Sequence, residues 1–153
     1  MQSTDLTSGP FGLLLAQQPK DGSSAASDLN TVNLNTKYRA LLDAILNSGS
    51  IPQRVLLLCY QRIRQIHGLA VQNISVKEAD ALNRQAMSEF DKGEQLALAA
   101  AEKIPYQHHD LDDDDVERIK GHFGSDGSVS LLTALAFFDV SCRLDLTFTS
   151  TEI

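Results

Sequence analysis

The sequence predicts an all-α fold, a single domain of about six helices. Ala and Leu supply most of the apolar content of the 153-residue chain, which has no Trp and only 6% aromatic residues. Such a composition favours helices over strands. Apolar residues also recur at helical spacing between breaks rich in Gly, Asn and Ser, and no segment shows the alternation of a strand.

The charge balance is acidic, with a formal net charge of −7 and a pI of about 4.9. This argues against a general nucleic-acid surface, which requires clustered Lys and Arg, and against adsorption to anionic membranes. No apolar run approaches the roughly 18–20 residues that span a bilayer, and no signal-peptide pattern is visible. Two cysteines are too few for a disulfide scaffold. We therefore expect a cytoplasmic, reduced protein.

The chain divides into an N-terminal extension, residues 1–33, and a helical domain, residues 34–153. The extension is predicted to be loop or partly disordered, because residues 17–24 are small and polar. Residues 11–16 form a short apolar patch within it. We expect this patch to pack on the domain or on a neighbouring subunit; a partner-binding motif is the alternative.

Helix one is predicted over residues 36–47 and helix two from about Pro52 to Gly68. Proline suits a first helical turn because its missing N–H is not needed there. Residues 55–59 are apolar nearly all round the helix, which predicts burial by the domain itself or by a partner subunit. The predicted buried stripe of helix one consists of Tyr38, Leu41, Leu42, Ile45 and Leu46.

Two capping boxes mark the starts of helices three and four. Ser75 precedes Glu78 by three residues, and Asp91 precedes Glu94 in the same way, so that each pair can satisfy free N–H groups of a first turn. Helix four then covers residues 95–103. The predicted inward stripe of helix three consists of Val76, Ala79, Leu82, Ala86, Met87 and Phe90.

The last two helices are separated by a predicted turn. Four aspartates, residues 112–115, precede helix five at residues 116–120, and acids there complement the helix dipole. Residues 124–128 are the turn, and helix six covers residues 129–148. Its predicted inward residues are Leu132, Leu135, Ala136, Val140 and Leu144.

Four segments carry a resemblance to a known family. Residues 62–68 form Arg-Ile-Arg-Gln-Ile-His-Gly, residues 95–102 an Ala-rich helix, residues 106–112 a His-containing acidic turn, and residues 136–144 an Ala-Phe-Phe-Asp segment followed by Arg. In this order they resemble the alkylhydroperoxidase-D and carboxymuconolactone decarboxylase superfamily, which has Asn in place of His67. The resemblance implies an oligomeric helical fold with central helices buried between subunits, and hence a homodimer as the basic unit.

The catalytic residues of that family do not carry over. Its two cysteine positions correspond to Leu69 and Gln72, its His falls near Ser75 or Val76, and its upstream Glu falls near Leu57. A thiol peroxidase needs one low-pKa thiolate to attack the peroxide and a second thiol to resolve the product. The resemblance therefore implies a member without peroxidase chemistry. The segment between Glu78 and Asp91 is also shorter than in the family.

Cys59 and Cys142 lie on different predicted helices, and Cys59 lies in the most apolar one. Burial raises the pKa of a thiol and makes it inert, so structural thiols are expected. The alternative is a relocated redox pair that serves an antioxidant hydroperoxide reductase.

Four residues are candidates for a ligand site near the glycine break. His67 is a candidate general acid or base, with a cap on helix two as the alternative. Arg62 and Arg64 are candidates for anion recognition through the guanidinium fork, with structural ion pairs as the alternative. Gln72 can hydrogen-bond a ligand or cap a turn.

No metal or cofactor is expected. His108 and His109 with Asp110 and Asp112 fit no zinc spacing, and the acidic run lacks the glycine and distant Glu of an EF-hand. There is no phosphate loop, dinucleotide fingerprint or Gly-x-Ser-x-Gly elbow.

Two main hypotheses for function remain. In the first, a pocket near His67 binds or converts a small organic acid or lactone by acid–base chemistry. In the second, the protein is a catalytically degenerate scaffold or a regulatory homo-oligomer. An open pocket in which Arg62 or Arg64 converges on His67 would favour the first, and a closed apolar space around His67, Leu69 and Gln72 the second.

Overall fold

The computed structural model describes residues 36–38 and 40–149, and within these ranges the chain is helical and has no strand. The all-α prediction is confirmed for this part of the chain, while the predicted extension, residues 1–33, lies outside it. The described residues form five α-helices: α1 (residues 36–38 and 40–46), α2 (Gln53–Ile66), α3 (Val76–Asn83), α4 (Lys92–Lys103) and α5 (Asp113–Thr149). Two 3-10 turns, Met87–Glu89 and His108–Asp110, precede α4 and α5.

Helix α2 is the centre of the fold and contacts α3, α4 and α5. From Val55 to Arg64 every residue is buried except Leu57 and Tyr60, which are half-buried. The single chain achieves this burial, so the apolar character of α2 does not by itself require a partner subunit. The largest fully buried apolar side chains of α2 and of the elements packed around it are Leu56, Leu58, Ile63, Leu82, Leu98, Ile119, Leu131, Leu135 and Phe138.

Both predicted capping boxes are present, and one arginine joins them. The Glu78 N–H donates to Ser75 Oγ at 3.2 Å, and the Glu94 N–H donates to Asp91 Oδ1 at 2.8 Å. Arg54 of α2 donates from Nη1 to Glu78 at 2.6 Å and from Nε to Glu94 at 2.7 Å. One guanidinium therefore links the first turns of α3 and α4 to α2.

Helix α3 is shorter than predicted. It ends at Asn83, and Gln85 has a left-handed φ of 54° that redirects the chain into the turn Met87–Glu89. The predicted stripe is wrong at Val76, which is 87% exposed because it is the first helical residue and lies beyond the core. Phe90 is buried as predicted, but it reaches the core from outside the helix.

A single residue, Gly124, interrupts α5. Its φ of 78° and ψ of 174° are not helical, yet helical structure resumes directly after it. The predicted break is confirmed in position, but the five-residue turn is wrong, since Gly127 and Ser128 are helical and buried. The two parts are called the N-terminal arm (residues 113–123) and the C-terminal arm (residues 125–149).

The predicted inward face of the C-terminal arm is wrong, because the buried face is rotated about the helix axis relative to the predicted one. Leu135 is buried as expected, but Ala136 and Val140 are exposed, and Leu132 and Leu144 are only half-buried. Residues 134–138 are all apolar, so the apolar pattern alone does not fix which of them face inward. The inward stripe consists of Leu131, Ala134, Leu135, Phe138 and Cys142.

Helix α1 packs on the C-terminal arm through Tyr38. Its ring centroid lies 5.0 Å from that of Phe137, and its hydroxyl hydrogen-bonds Ser141 Oγ at 2.7 Å. Of the predicted stripe, Leu41 is instead 46% exposed, and the other three members pack against the core: Leu42, Ile45 and Leu46.

None of the helices in the described ranges combines the length and the apolar character needed to cross a bilayer.

The dihedral angles of Gly124 predict opposite effects for two neighbouring glycine substitutions. A Cβ atom would have open space at both Gly124 and Gly121, but only Gly124 has a positive φ. We expect Gly121→Ala to stabilise the protein by about 0.5–1 kcal/mol through helix propensity. Gly124→Ala should destabilise it by about 1–3 kcal/mol through backbone strain. Urea unfolding measures both, and equal effects of the two substitutions would contradict this account.

The contacts of Glu78 predict a loss of stability in acid. Hydrogen bonds, first from Arg54 and then from Ser75, lower the pKa of Glu78 from 4.5 to about 2. Because the folded-state pKa is lowered, the contribution is present above about pH 4.5 and disappears as the pH falls towards 2. Both partners are partly solvated, so we expect Glu78→Gln to cost about 1 kcal/mol near pH 7.

In urea unfolding at several pH values, the difference between the wild type and Glu78→Gln should shrink across that acid range. Glu117→Gln, which removes an exposed carboxylate 3.7 Å from Lys120, is the control and should change little. A difference that does not vary with pH would refute the assignment.

Candidate functional site

Four side chains meet where α2 ends. His67 is the residue that caps the C-terminus of α2, and Tyr106 lies in the turn after α4. Asp139 and Arg143 lie one turn apart on α5. Because α2 packs against both α4 and α5, its end brings His67 between these two elements. We call these four residues the His67 cluster.

The ring of His67 is held from both sides. Its Nε2 lies 2.7 Å from Asp139 Oδ1, and its Nδ1 lies 3.2 Å from the Tyr106 hydroxyl. With the carboxylate accepting from Nε2–H, the neutral ring has a lone pair at Nδ1, which accepts from the hydroxyl. The His67 side chain is 0% exposed, whereas Tyr106 is 60% exposed. The arrangement therefore connects a carboxylate, through a buried imidazole, to a phenol at the surface.

Arg143 completes the cluster. Its Nε donates to Asp139 Oδ2 at 3.0 Å, and its Nη2 donates to the carbonyl oxygen of Pro105 at 2.6 Å. The guanidinium carbon lies 5.2 Å from the centroid of the Tyr106 ring, within the range of a cation–π contact. The side chain is about half exposed. The half-exposed guanidinium therefore lies beside the exposed phenol.

The local backbone fixes the position of His67. Its N–H donates to the Ile63 carbonyl at 3.1 Å, and the next residue, Gly68, takes a left-handed φ of 74°. The Leu69 N–H then donates to the Arg64 carbonyl oxygen at 2.8 Å, and this hydrogen bond caps the C-terminus of the helix. His67 thus occupies the capping position that was the alternative interpretation, but its ring bonds Asp139 and Tyr106.

The order carboxylate, imidazole, hydroxyl is chemically informative. In such a relay the carboxylate fixes the tautomer of the imidazole, and the imidazole takes the proton of the hydroxyl. The described geometry permits that transfer in the tautomer that carries its proton on Nε2, because Nδ1 then accepts from the Tyr106 hydroxyl at 3.2 Å. The hydroxyl in this cluster belongs to a tyrosine, which can give or accept a proton in general acid–base catalysis.

Arg62 is engaged in an ion pair. Its Nε and Nη2 donate to the two carboxylate oxygens of Glu102 on α4, with Nη2 at 3.1 Å from Oε2. Its Nη1 donates to Gln65 Oε1 at 3.1 Å. The guanidinium fork is thus occupied by a bidentate pair in a buried position.

Arg64 is engaged in the same way on the other side of α2. It donates from Nη1 to Asp145 at 3.1 Å and from Nε to the Ala70 carbonyl at 2.7 Å. Burial raises the pKa of Asp145, and the hydrogen bond from Arg64 opposes that rise. Among the described contacts, neither Arg62 nor Arg64 bonds a member of the His67 cluster, so the convergence that would favour the first hypothesis is not seen there.

The two positions that correspond to the family cysteines lie in the loop after α2. Leu69 is half-buried and packs against the core. Gln72 is exposed, and its backbone N–H donates to Gln61 Oε1 at 2.7 Å. The structure therefore places Gln72 in a loop tied to α2 and places no Gln72 side-chain contact at the His67 cluster.

Both thiols are buried. Cys59 and Cys142 are 0% exposed and unbridged. Burial raises the pKa of both thiols, that of Cys142 to about 12. A thiol with a raised pKa has little thiolate at neutral pH, and no peroxide can reach it without local opening. These properties fit structural thiols.

The histidine pair of the acidic turn is exposed. His108 and His109 lie in the 3-10 turn before α5, and His109 approaches Asp110 at 3.5 Å. Within the described ranges no group of three or more His, Cys, Asp or Glu side chains is arranged to hold a metal ion.

Sequence reasoning missed three members of the His67 cluster. Tyr106, Asp139 and Arg143 all lie inside the segments that carry the family resemblance, yet no role was assigned to them. The i, i+4 spacing of Asp139 and Arg143 indicates an ion pair on one helix. The contact of Asp139 with His67 joins residues 72 positions apart, and local pattern contains no signal for it.

Comparison of the chain with protein-family models, curated proteins and solved structures gave no match. The superfamily resemblance thus depends on the sequence segments alone.

The burial of both thiols predicts that the protein does not reduce an alkyl hydroperoxide in a thiol-dependent way. Turnover should not exceed that of a denatured control, and Cys59→Ser and Cys142→Ser should behave like the wild type. An aromatic disulfide reagent should react at least about 100-fold more slowly with the native than with the unfolded chain. Turnover by the wild type that either substitution abolishes would show that redox chemistry has moved to these cysteines.

Proposed function

We propose that this protein is an alkylhydroperoxidase-D and carboxymuconolactone decarboxylase-like protein without the peroxidase cysteine pair, and that it binds or converts a small organic acid or lactone by acid–base chemistry. The observation that carries the proposal is the exposed Tyr106 hydroxyl, hydrogen-bonded to a buried His67 whose other nitrogen is held by Asp139.

Each member of the cluster has a role in this proposal. The guanidinium of Arg143 attracts the carboxylate of an acid or the carbonyl of a lactone. The Tyr106 oxygen takes a proton from the substrate while its own proton passes to His67 Nδ1. Asp139 keeps Nε2–H in place and stabilises the imidazolium that results. His67 thus remains the acid–base residue, but it acts through Tyr106 because its own ring is buried.

In this proposal the anion-binding residue is Arg143, and not the predicted Arg62 or Arg64. Arg62 and Arg64 form buried ion pairs with Glu102 and Asp145, respectively, which supports a structural role for both. Arg143 is half-exposed and lies against the Tyr106 ring. It is therefore the cation best placed to meet a ligand at this site.

A second candidate function is a catalytically degenerate scaffold or regulatory homo-oligomer. It is favoured by the complete burial of the His67 side chain and by the engagement of Arg62 and Arg64 in ion pairs. In that case the cluster joins the end of α2 to the turn after α4 and to α5. Both candidate functions include a homodimer as the basic unit and a cytoplasmic location. The paucity of cysteines supports the cytoplasmic location.

The experiment that separates the two candidates is ligand titration followed by NMR, with acetate, short-chain hydroxy and keto acids and a γ-lactone as probes. We expect shifts at Tyr106 and Arg143, and at least a tenfold loss of affinity or turnover in Tyr106→Phe, because the substitution removes only the hydroxyl. Tyr38→Phe is the matched control, since its hydroxyl bonds Ser141 instead.

If none of these probes perturbs the cluster, or if both tyrosine variants behave alike, the acid–base proposal fails and the structural role of the cluster stands.

A further inference from the structure

The C-terminal arm of α5 has an outward face that carries no exposed charge over most of its length. Between the exposed residues Asp126 and Arg143, every exposed side chain on this arm is uncharged. Val129 is 67% exposed and Val140 is 51% exposed. We call the exposed uncharged residues the outer stripe: Val129, Thr133, Ala136 and Val140.

This composition is specific to the C-terminal arm. The N-terminal arm of the same helix has an ordinary solvated face, whose exposed residues include Asp113, Asp114, Glu117, Arg118 and Lys120. The outward face of a surface helix is normally polar, and contiguous exposed apolar residues mark an interaction surface. The uncharged surface of the outer stripe therefore requires an explanation, whereas the charged surface of the N-terminal arm is that of an ordinary solvated helix.

The apolar surface extends from the outer stripe onto α1. A cleft of about 230 Å³ separates the end of α1 from the C-terminal arm, and Ala44, Ile45, Val129 and Thr133 are among the residues that line it. Leu41 of α1 is 46% exposed. A partner on the outer stripe would thus meet apolar side chains of two helices.

The spacing of the outer stripe and its two charged ends alternates between three and four residues, over Asp126, Val129, Thr133, Ala136, Val140 and Arg143. That alternation is the repeat with which two helices pack side by side. We propose that the outer stripe binds a second copy of this chain, with the two C-terminal arms antiparallel about a two-fold axis between residues 134 and 135.

The charges at the ends of the outer stripe decide the orientation. In the antiparallel arrangement Asp126 faces the partner's Arg143, and by symmetry the same pair forms at the other end. Val129 then faces the partner's Val140, and Thr133 faces the partner's Ala136. A parallel pair would instead place the two Asp126 side chains together and the two Arg143 side chains together, which opposes association.

The proposed interface borders the His67 cluster. Arg143 lies at one end of the outer stripe and also against the Tyr106 ring. Its hydrogen bonds to the described residues use Nε and Nη2, and the proposal assigns Nη1 to the partner's Asp126. The inference rests on the proposed homodimer and not on the proposed chemistry at Tyr106. Failure of the ligand titration would leave it intact.

Cysteine cross-linking of the full chain tests the orientation. With the axis between residues 134 and 135, Val129 and the partner's Val129 are separated by roughly 16 Å along the helix, too far for a disulfide. We expect a mixture of Val129→Cys and Val140→Cys chains to form cross-linked heterodimers, and neither variant alone to cross-link. Ala136→Cys alone should cross-link, since it lies near the axis. Efficient cross-linking of Val129→Cys alone would overturn the antiparallel arrangement.

Sedimentation velocity tests the face itself. The wild type should sediment at micromolar concentration with twice the chain mass of 16.7 kDa. Val140→Glu places a carboxylate in the interface twice and should weaken the dimer at least about 100-fold. Val76→Glu is the matched control, because Val76 is 87% exposed on α3 and lies off the outer stripe.

The outcomes distinguish an error in the proposed interface from an error in the proposed homodimer. If the wild type is a dimer and Val140→Glu remains one, the homodimer stands and this interface is wrong. If the wild type is a monomer at about 100 μM, both are wrong, and the apolar residues 11–16 become the next occupant to test for this face.

Discussion

The fold depends on the burial of a helix that carries charged residues. Helix α2 is enclosed on nearly all sides, yet Gln61, Arg62 and Arg64 lie within its buried length. A buried cation is tolerated only if it is paired, because removing one partner leaves an uncompensated charge in a weakly polar interior. Glu102 on α4 and Asp145 on α5 supply those partners. The ion pairs therefore join α2 to both α4 and α5.

The same constraint positions the His67 cluster. With Arg62 paired to α4 and Arg64 to α5, the end of α2 is fixed between these two helices. His67 lies three residues after Arg64 and contacts Asp139, which lies six residues before Asp145 on α5. The elements that stabilise the core thus also determine which side chains meet His67.

Local signals in the sequence predicted the local features of the fold. Both capping boxes, the buried α2 and the break at Gly124 followed from residue type and spacing, because each depends on neighbours within a few positions. The register of the C-terminal arm did not follow, because residues 134–138 are all apolar and their pattern does not fix the inward face. The length of α3 did not follow either, since Gln85 takes a left-handed conformation. Of the candidate site residues that the sequence indicates, only His67 belongs to the cluster of polar side chains at the end of α2.

The distances along the chain between bonded residues bear on the order of events during synthesis. Arg64 and Asp145 are separated by 81 positions, and Tyr38 and Ser141 by 103. A nascent chain thus presents α2, with an unpaired arginine in an apolar sequence, long before the C-terminal arm of α5 leaves the ribosome. Until then the part of α2 that packs against α5 is uncovered, and chaperones that bind apolar surfaces can act at this stage.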